Sequence, residues 1–429
     1  MQNSLKKYFR STLMLAGASV VIAPTALAQS VDNPFKRDRF LAVTDRYQPE
    51  YDPEPVRLGS TIVDSSVGVD VRSDDNVFYA DQNPVDDTLF VFTPRFRMRT
   101  DWANHELAGG VNVEHREYQD QDSESATDVS GNLRGRLDVS RGFSLNASLR
   151  GFSGFEERYA PATIGNAAEP TPYDRTTGEV GAAFVRDRIE LTAAVGQDTR
   201  DYDNVARVGG GPDIAQDYRD VTEQYLRARA SYAVSPNVAV FVQGRAADLD
   251  YDQSVPNRDS KITSAQVGLD FELSAPFRGD VAVGYFKDDK KDDANLTSGR
   301  DFDGVSIDGN LHWFITELTT LSFSAQRAPE DPGLPNSSSA SVTRLGARAD
   351  HELLRNVLIS VDLKSTKRAY EDISREDEFF EGSLGVGYKL NKHARIDASY
   401  TRRDQTSSGA LVGPEFDQNV FSIGLRLYP

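Results

Sequence analysis

The chain has 429 residues, a formal net charge of −18 at pH 7 and no cysteine. The missing cysteines exclude disulfides and thiolate metal sites, so stability in an oxidising compartment would need another source. The acidic balance argues against nucleic acid as a partner, because phosphate would be repelled. The mean hydropathy of −0.50 fits a water-soluble or a disordered chain. The order of the residues must therefore decide the class of protein.

The first 28 residues have the three parts of a secretory signal peptide. The positive n-region consists of Lys6, Lys7 and Arg10. An apolar run over 13–23 follows, which is too short to span a bilayer, and a small-x-small motif then predicts cleavage between Ala28 and Gln29. The alternative is a buried N-terminal helix. Removal of residues 1–28 would take the formal charge from −18 to −21.

From residue 60 onward the sequence repeats one unit. A stretch of alternating apolar and polar residues is followed by a short turn, a second alternating stretch and a long polar loop. Strict alternation predicts a strand with one apolar and one polar face. In 89–99, for example, Phe90, Phe92 and Phe96 occupy one face, and Arg95, Arg97 and Arg99 the other. Short turns at one end and long loops at the other are typical of a bacterial transmembrane barrel.

We predict an all-β fold, an antiparallel up-and-down transmembrane barrel over residues 57–429 with about eighteen strands; sixteen is the nearest alternative. The predicted strands are 60–72, 88–99, 105–118, 128–140, 143–156, 174–186, 188–201, 218–233, 237–249, 262–273, 279–288, 303–314, 319–328, 340–351, 356–368, 378–390, 394–403 and 418–428. An even count places both termini on the periplasmic side.

A soluble β-sandwich also alternates, and two features favour the barrel over it. The rhythm of long and short connections runs through nine hairpins, for which a sandwich has no need. Aromatic residues also lie on the apolar face near the short turns, where a periplasmic girdle belongs. They are Phe143, Phe184, Tyr232, Phe271, Trp313 and Tyr388.

Residues 29–56 precede the first predicted strand. They contain Pro34, Pro49, Pro53 and Pro55, which disfavour both helix and strand. Two interpretations stay open at this point. The segment is a periplasmic tether, or it enters the lumen as a plug.

A family resemblance is carried by residues 45–115. The motifs are Tyr47-Gln48-Pro49-Glu50-Tyr51-Asp52-Pro53, Val56-Arg57-Leu58-Gly59-Ser60, Asp74-Asp75-Asn76-Val77-Phe78 and Arg97-Met98-Arg99-Thr100-Asp101-Trp102, followed by His105. Together they resemble the start of the putative β-barrel porin 2 family of proteobacterial outer-membrane proteins. The resemblance implies a pore protein of the Gram-negative outer membrane, without a catalytic motif. It also implies, for some members, a link with exopolysaccharide export.

The sequence gives little support for an enzyme. It contains neither G-x-S-x-G nor H-E-x-x-H. His312 shares a face with Ser306 and Asp308, but such neighbours are common on strands, so a hydrolase is the weakest alternative. A weak calcium candidate consists of Asp248, Asp250 and Asp252, for which a solvated loop is the simpler interpretation. We expect no catalytic residue and no cofactor.

The polar face of the strands is rich in arginine. The candidate lumen and selectivity residues are Arg95, Arg97, Arg99, Arg134, Arg136, Arg150, Arg227, Arg229, Arg245 and Arg348. A charge on the lipid face costs about 2–4 kcal/mol at the bilayer midplane, so these side chains must face water. One interpretation is cross-strand ion pairing that stiffens the wall. The other is an electropositive strip that attracts anions.

The leading prediction for function is a porin-like channel for passive passage of solutes, with anionic saccharide or exopolysaccharide as candidate cargo. The alternative is a structural or surface-interaction barrel with a blocked lumen, whose acidic loops, such as 160–171 and 288–303, carry the function. Expected partners are outer-membrane lipid and lipopolysaccharide, the barrel assembly machinery, and polysaccharide export components; no nucleic acid is expected.

Overall fold

The computed structural model describes residues 41–162, 166–253, 257–272, 276–291 and 300–429. The predicted signal peptide and its cleavage site at Ala28 and Gln29 lie outside the described residues. Within these ranges no helix is long and apolar enough to cross a membrane. The helices described are single 3-10 turns at Val43–Asp45, Asp122–Glu124 and Asp217–Arg219.

A short strand, β1 (Val56–Leu58), precedes eighteen long strands. These are β2 (Thr61–Asp74), β3 (Asp87–Thr100), β4 (His105–Tyr118), β5 (Ala126–Ser140), β6 (Phe143–Phe155), β7 (Pro172–Arg186), β8 (Ile189–Tyr202), β9 (Val221–Ser235), β10 (Val238–Tyr251), β11 (Ser260–Glu272), β12 (Phe277–Lys290), β13 (Phe302–Thr316), β14 (Thr319–Glu330), β15 (Ala340–Leu354), β16 (Val357–Tyr370), β17 (Arg375–Asn391), β18 (Ala394–Gly409) and β19 (Phe416–Leu427). Each long strand pairs antiparallel with the next, and β19 pairs with β2. The predicted eighteen-strand closed barrel is confirmed, and the alternative of sixteen strands is wrong.

The strand boundaries differ from the predicted ones mainly on the side of the long loops. The prediction for β18 ends at residue 403, whereas the strand continues to Gly409. The added residues are almost all polar, so the apolar alternation that marks a strand is absent there. Strand β1 was not predicted. It pairs with Thr61–Val63 of β2, below the point where pairing with β19 ends at Val67.

The wall of the barrel follows the predicted alternation. Apolar side chains such as Phe90, Phe92 and Phe96 point outward and are exposed, while the residues between them face the lumen. Outward-facing aromatic residues lie near the short turns, as Phe184, Tyr232 and Tyr388 illustrate. The outer surface therefore carries an apolar belt with aromatic residues at its periplasmic border.

The long loops fold into the barrel mouth. Tyr159, in the loop after β6, stacks on Phe379 of β17 with ring centroids 5.1 Å apart, and also contacts Phe416 of β19. Lys290 of β12 donates a hydrogen bond of 3.0 Å to the carbonyl oxygen of Ser338, in the loop after β14. We call the loop-filled part of the lumen the extracellular half, and the part next to the short turns the periplasmic half.

Candidate functional site

The strand β3 presents three arginines to the periplasmic half of the lumen. Phe96 and Met98 occupy the lipid-facing parity, so Arg95, Arg97 and Arg99 fall on the opposite face. Side chains two residues apart on one face of a strand are separated by about 7 Å. These three residues therefore form a vertical row, which we call the arginine ladder.

Most of the other predicted lumen arginines are paired with carboxylates. The pairs with measured nitrogen–oxygen distances are Arg134–Glu106 at 2.8 Å, Arg136–Asp138 at 2.7 Å, Arg227–Glu179 at 2.6 Å, Arg229–Asp270 at 3.6 Å and Arg348–Asp350 at 2.9 Å. Arg245 pairs with Glu223. For these six residues the geometry is that of a wall stiffened by ion pairs.

Two members of the arginine ladder, Arg95 and Arg97, have fewer partners of opposite charge. Arg95 donates from Nε to the amide oxygen Oδ1 of Asn112 at 2.8 Å, which leaves its positive charge uncompensated by that contact. Arg97 lies opposite Asp64 in the register of β2 and β3, but in the described part of the chain it forms no ion pair shorter than 4.0 Å. Asp64 and Asn112 were not among the predicted site residues; both lie on inward parity in the strands next to β3.

Arg150 on β6, like Arg97, has no ion pair with the described residues. No carboxylate of the described residues lies within 4.0 Å of its guanidinium. It is a single arginine on β6, in contrast to the three successive arginines of the ladder on β3. The inward parity of all ten predicted arginines agrees with the strand assignment, and among these ten the ladder is the place where three follow one another on one strand.

Water reaches the inner wall of the periplasmic half. The side chain of Arg134 keeps 66% of its surface exposed and that of Arg136 keeps 54%, although both point into the barrel. In the extracellular half the inward-facing Asp70, Arg72 and Asp74 are buried. The lumen is therefore filled at its extracellular end and open along β5 in the periplasmic half, whereas Glu352 and Arg395, near other short turns, are buried.

Arg258 holds the loops together in the extracellular half of the lumen. Its guanidinium is fully buried and forms a two-point pair with Asp331, with Nε 3.0 Å from Oδ2. It also donates to the carbonyl oxygens of Leu334 at 2.6 Å and Ser337 at 3.1 Å. Burial raises the pKa of Asp331, but Arg258, together with Lys290 and Tyr251, outweighs it and holds the pKa below its ordinary value. The loop 331–339 is thereby fixed in the mouth.

The weak calcium candidate is engaged by an ammonium group. Lys291 Nζ lies 2.6 Å from Oδ1 of Asp248 and 2.7 Å from Oδ1 of Asp250. The backbone N–H of Asp252 donates a hydrogen bond to the carbonyl oxygen of Asp220. Among the described residues, no group of three or more His, Cys, Asp or Glu side chains could hold a metal ion.

The hydrolase alternative has no geometric support. Ser306 and His312 are six residues apart on β13, which is about 20 Å along a strand. His312 Nδ1 instead lies 2.9 Å from the hydroxyl of Ser322. The hydroxyl of Ser306 accepts a hydrogen bond from Gln266 at 2.7 Å. The Ser306 hydroxyl and the His312 imidazole therefore do not contact each other, although they lie on one face of the same strand.

Several solved porins are similar to this chain. Outer membrane protein OpdK of Pseudomonas aeruginosa has 12% identity and a TM-score of 0.45, over 86% of this chain and 99% of that one. OccK2 (OpdF) of the same organism has 10% identity and a TM-score of 0.46, over 85% and 98%. A BenF-like porin from Pseudomonas fluorescens Pf-5 has 10% identity and a TM-score of 0.43, over 86% and 99%. With TM-scores this low, no property of those porins is transferred to this chain.

The family is settled by a different comparison. None of the curated proteins matches the chain. A family model described as Putative beta-barrel porin 2 matches residues 48–428, which span the whole barrel from β1 to β19. The resemblance seen in the sequence between residues 45 and 115 thus extends over nearly the whole chain. The chain belongs to the putative β-barrel porin 2 family and is a porin-like channel of the Gram-negative outer membrane.

Proposed function

We propose that the channel passes small anionic, hydroxyl-bearing solutes, acidic saccharides in particular, along the arginine ladder. The observation that supports this proposal is that most lumen arginines are paired with carboxylates, whereas two arginines of the ladder are not. Six of the ten predicted lumen arginines have a carboxylate within 4.0 Å, whereas Arg95 contacts a neutral amide and Arg97 has no such pair in the described chain.

Guanidinium groups suit this role for two reasons. Each offers several N–H donors in a planar fork that matches a carboxylate. Three such forks about 7 Å apart would let an anion exchange one contact for the next. Passive passage needs binding that is favourable enough for entry and weak enough for exit, which several successive weak sites provide.

Planar-bilayer recordings of the refolded protein test the channel itself. We expect stepwise conductance from the wild-type chain without its first 28 residues. Absence of conductance, both in that protein and in a variant that also lacks residues 29–56, would show that it is not an open pore.

Reversal potentials in a salt gradient test the ladder. We expect Arg95→Gln/Arg97→Gln/Arg99→Gln to lower the anion-to-cation permeability ratio, most strongly at low ionic strength where the Debye length exceeds about 10 Å. The matched control is Arg134→Gln/Glu106→Gln, which removes a neighbouring ion pair without changing the net charge. An unchanged ratio in the triple variant would make the ladder a wall structure. Failure of the triple variant to fold would favour the ion-pairing interpretation.

A structural or surface-interaction barrel is the second candidate function. The observation that favours it is the loop 331–339, which fills part of the mouth and is anchored by the buried Arg258. Acidic loops at the cell surface would then carry the function. Conductance that appears only after deletion of 331–339 would favour this candidate over the open channel.

A further inference from the structure

The segment 41–54, which we call the strap, lies against the inner wall of the periplasmic mouth. The backbone N–H of Val43 donates to Oγ1 of Thr320 on β14 at 3.1 Å. Gln48 donates from Nε2 to Oε2 of Glu352 on β15 at 3.1 Å. Thr320 and Glu352 are both buried and have inward parity, because Leu321 and Leu353 next to them lie on the lipid-facing parity.

The strap continues along the wall to β17 through charged contacts. Asp52 pairs with Lys389, an inward-facing residue of β17. Glu54 pairs with Lys392 in the turn between β17 and β18. At its other end, Arg46 donates to the carbonyl oxygen of Glu317 at 2.7 Å. The strap thus spans the wall from β14 to β18 and then enters the sheet as β1.

The charge of the strap is opposite to that of the arginine ladder. Its acidic residues are Asp45, Glu50, Asp52 and Glu54, against the single basic residue Arg46. The Lys389 side chain, paired with Asp52, keeps 21% of its surface exposed. Two cations of the mouth, Lys389 and Lys392, are therefore paired with carboxylates of the strap.

We propose that the strap is a specificity determinant that masks Lys389 and Lys392, so that its position sets the charge selectivity of the periplasmic mouth. The inference rests on the proposed channel function and deepens it, because it assigns part of the selectivity to a segment outside the barrel wall. A strap held in place keeps the mouth close to neutral on this side. A strap that loses its carboxylates uncovers two cations and makes the mouth more selective for anions.

Two opposite charge variants and their combination test the proposal by reversal potential. We expect Asp52→Asn/Glu54→Gln to raise the anion-to-cation permeability ratio by roughly two-fold at low salt. We expect Lys389→Gln/Lys392→Gln to lower it, and the fourfold variant to return close to the wild type. The control is Glu50→Gln, since Glu50 is exposed and forms no ion pair with the described residues. That variant removes a strap carboxylate without uncovering a cation, and its ratio should change least.

The outcomes separate this inference from the channel function. If Asp52→Asn/Glu54→Gln changes the ratio no more than Glu50→Gln does, while stepwise conductance persists, the strap does not mask the lysines and the inference is overturned. If no variant conducts, including one that lacks residues 29–56, the channel function itself is overturned. Crosslinking by a short bis-maleimide gives an independent check, because the chain has no cysteine of its own. The reagent should join the two thiols of Gln48→Cys/Glu352→Cys if the strap lies in the mouth, since the two native side chains are in contact there. Absence of the crosslink in a folded barrel would contradict the proposal.

Discussion

The two halves of the lumen hold similar side chains in different states. In the periplasmic half, the paired arginines Arg134 and Arg136 remain more than half exposed. In the extracellular half, Arg258 has no exposed side-chain surface and makes hydrogen bonds to one carboxylate and two backbone carbonyls. Both sites hold arginines, so the difference comes from the loops, which cover Arg258 and leave the wall at β5 exposed to water.

The comparison separates charges that maintain the structure from charges that act on solutes. A buried charge that loses its partner costs several kcal/mol, since neither member is hydrated. An exposed pair contributes about 0–1 kcal/mol, because water and salt already screen it. We therefore expect substitutions of buried charges in the extracellular half to disturb the loops. Substitutions of exposed charges in the periplasmic half should change ion selectivity with little effect on stability.

The largest effect is expected for Arg258→Ala. The substitution leaves Asp331 buried without its cation and should weaken the anchoring of loop 331–339 by about 3–5 kcal/mol. We expect the loop to leave the mouth, so that single-channel conductance rises and protease cleaves within 331–339 while the barrel stays folded. Equal conductance and equal protease resistance in the variant and the wild type would contradict the structural role of Arg258.

An effect of similar size, confined to a different loop, is expected for Tyr159→Ala. The ring of Tyr159 is buried between Tyr79 at 5.1 Å and Phe379 at 5.1 Å, measured between ring centroids. Loss of a buried aromatic ring costs about 3 kcal/mol or more. This loop should loosen while the Arg258 network holds, which hydrogen exchange of residues 156–162 and 331–339 can separate. Equal loosening of both loops would show that the extracellular half behaves as one unit.

The barrel wall was predictable because one physical rule governs it. Lipid on one side and water on the other force alternation, so strands such as β4 were predicted at their observed bounds of His105 and Tyr118. The same rule placed Arg95, Arg97 and Arg99 on the lumen face. The aromatic girdle follows from the same boundary between lipid and water.

The partners of those side chains were not predictable from alternation. Asp52 and Lys389 are 337 residues apart in the sequence, and Arg258 and Asp331 are 73 apart. Both contacts involve segments without periodicity, where the sequence carries no information on register. Shared parity at His312 and Ser306 gives no contact between them, since six residues along a strand separate them by about 20 Å.

A further expected effect is limited to the loop before β9 and depends on pH. Burial raises the pKa of Asp220 to about 6, with repulsion from Asp201 and Asp217 acting in the same direction. Because this pKa exceeds the ordinary value of 3.8, the folded loop binds a proton that the open loop does not. The stability of the folded loop should therefore increase as the pH falls from 7 through about 6, and decrease when the pH is raised to 7 again.

Hydrogen exchange of residues 203–220 at pH 7 and pH 5, corrected for the intrinsic rate, measures this dependence. The variant Asp220→Asn keeps an acceptor for the Tyr202 N–H, which lies 2.7 Å from Oδ1, but cannot ionise. We expect protection in the variant to vary less with pH than in the wild type. An identical pH dependence in both proteins would assign the titration to other carboxylates of the loop.

The smallest effect on stability is expected for Arg134→Gln in the open half. Its partner Glu106 lies 2.8 Å away, and the two side chains keep 66% and 43% of their surfaces exposed. Water therefore hydrates Glu106 once the arginine is gone, and the loss should be about 0–1 kcal/mol. Unfolding by denaturant in detergent, with Arg258→Ala measured beside it, gives the comparison. A loss for Arg134→Gln as large as that for Arg258→Ala would mean that the open half is also held together by its charges, and the division between structural and solute-facing arginines would fail.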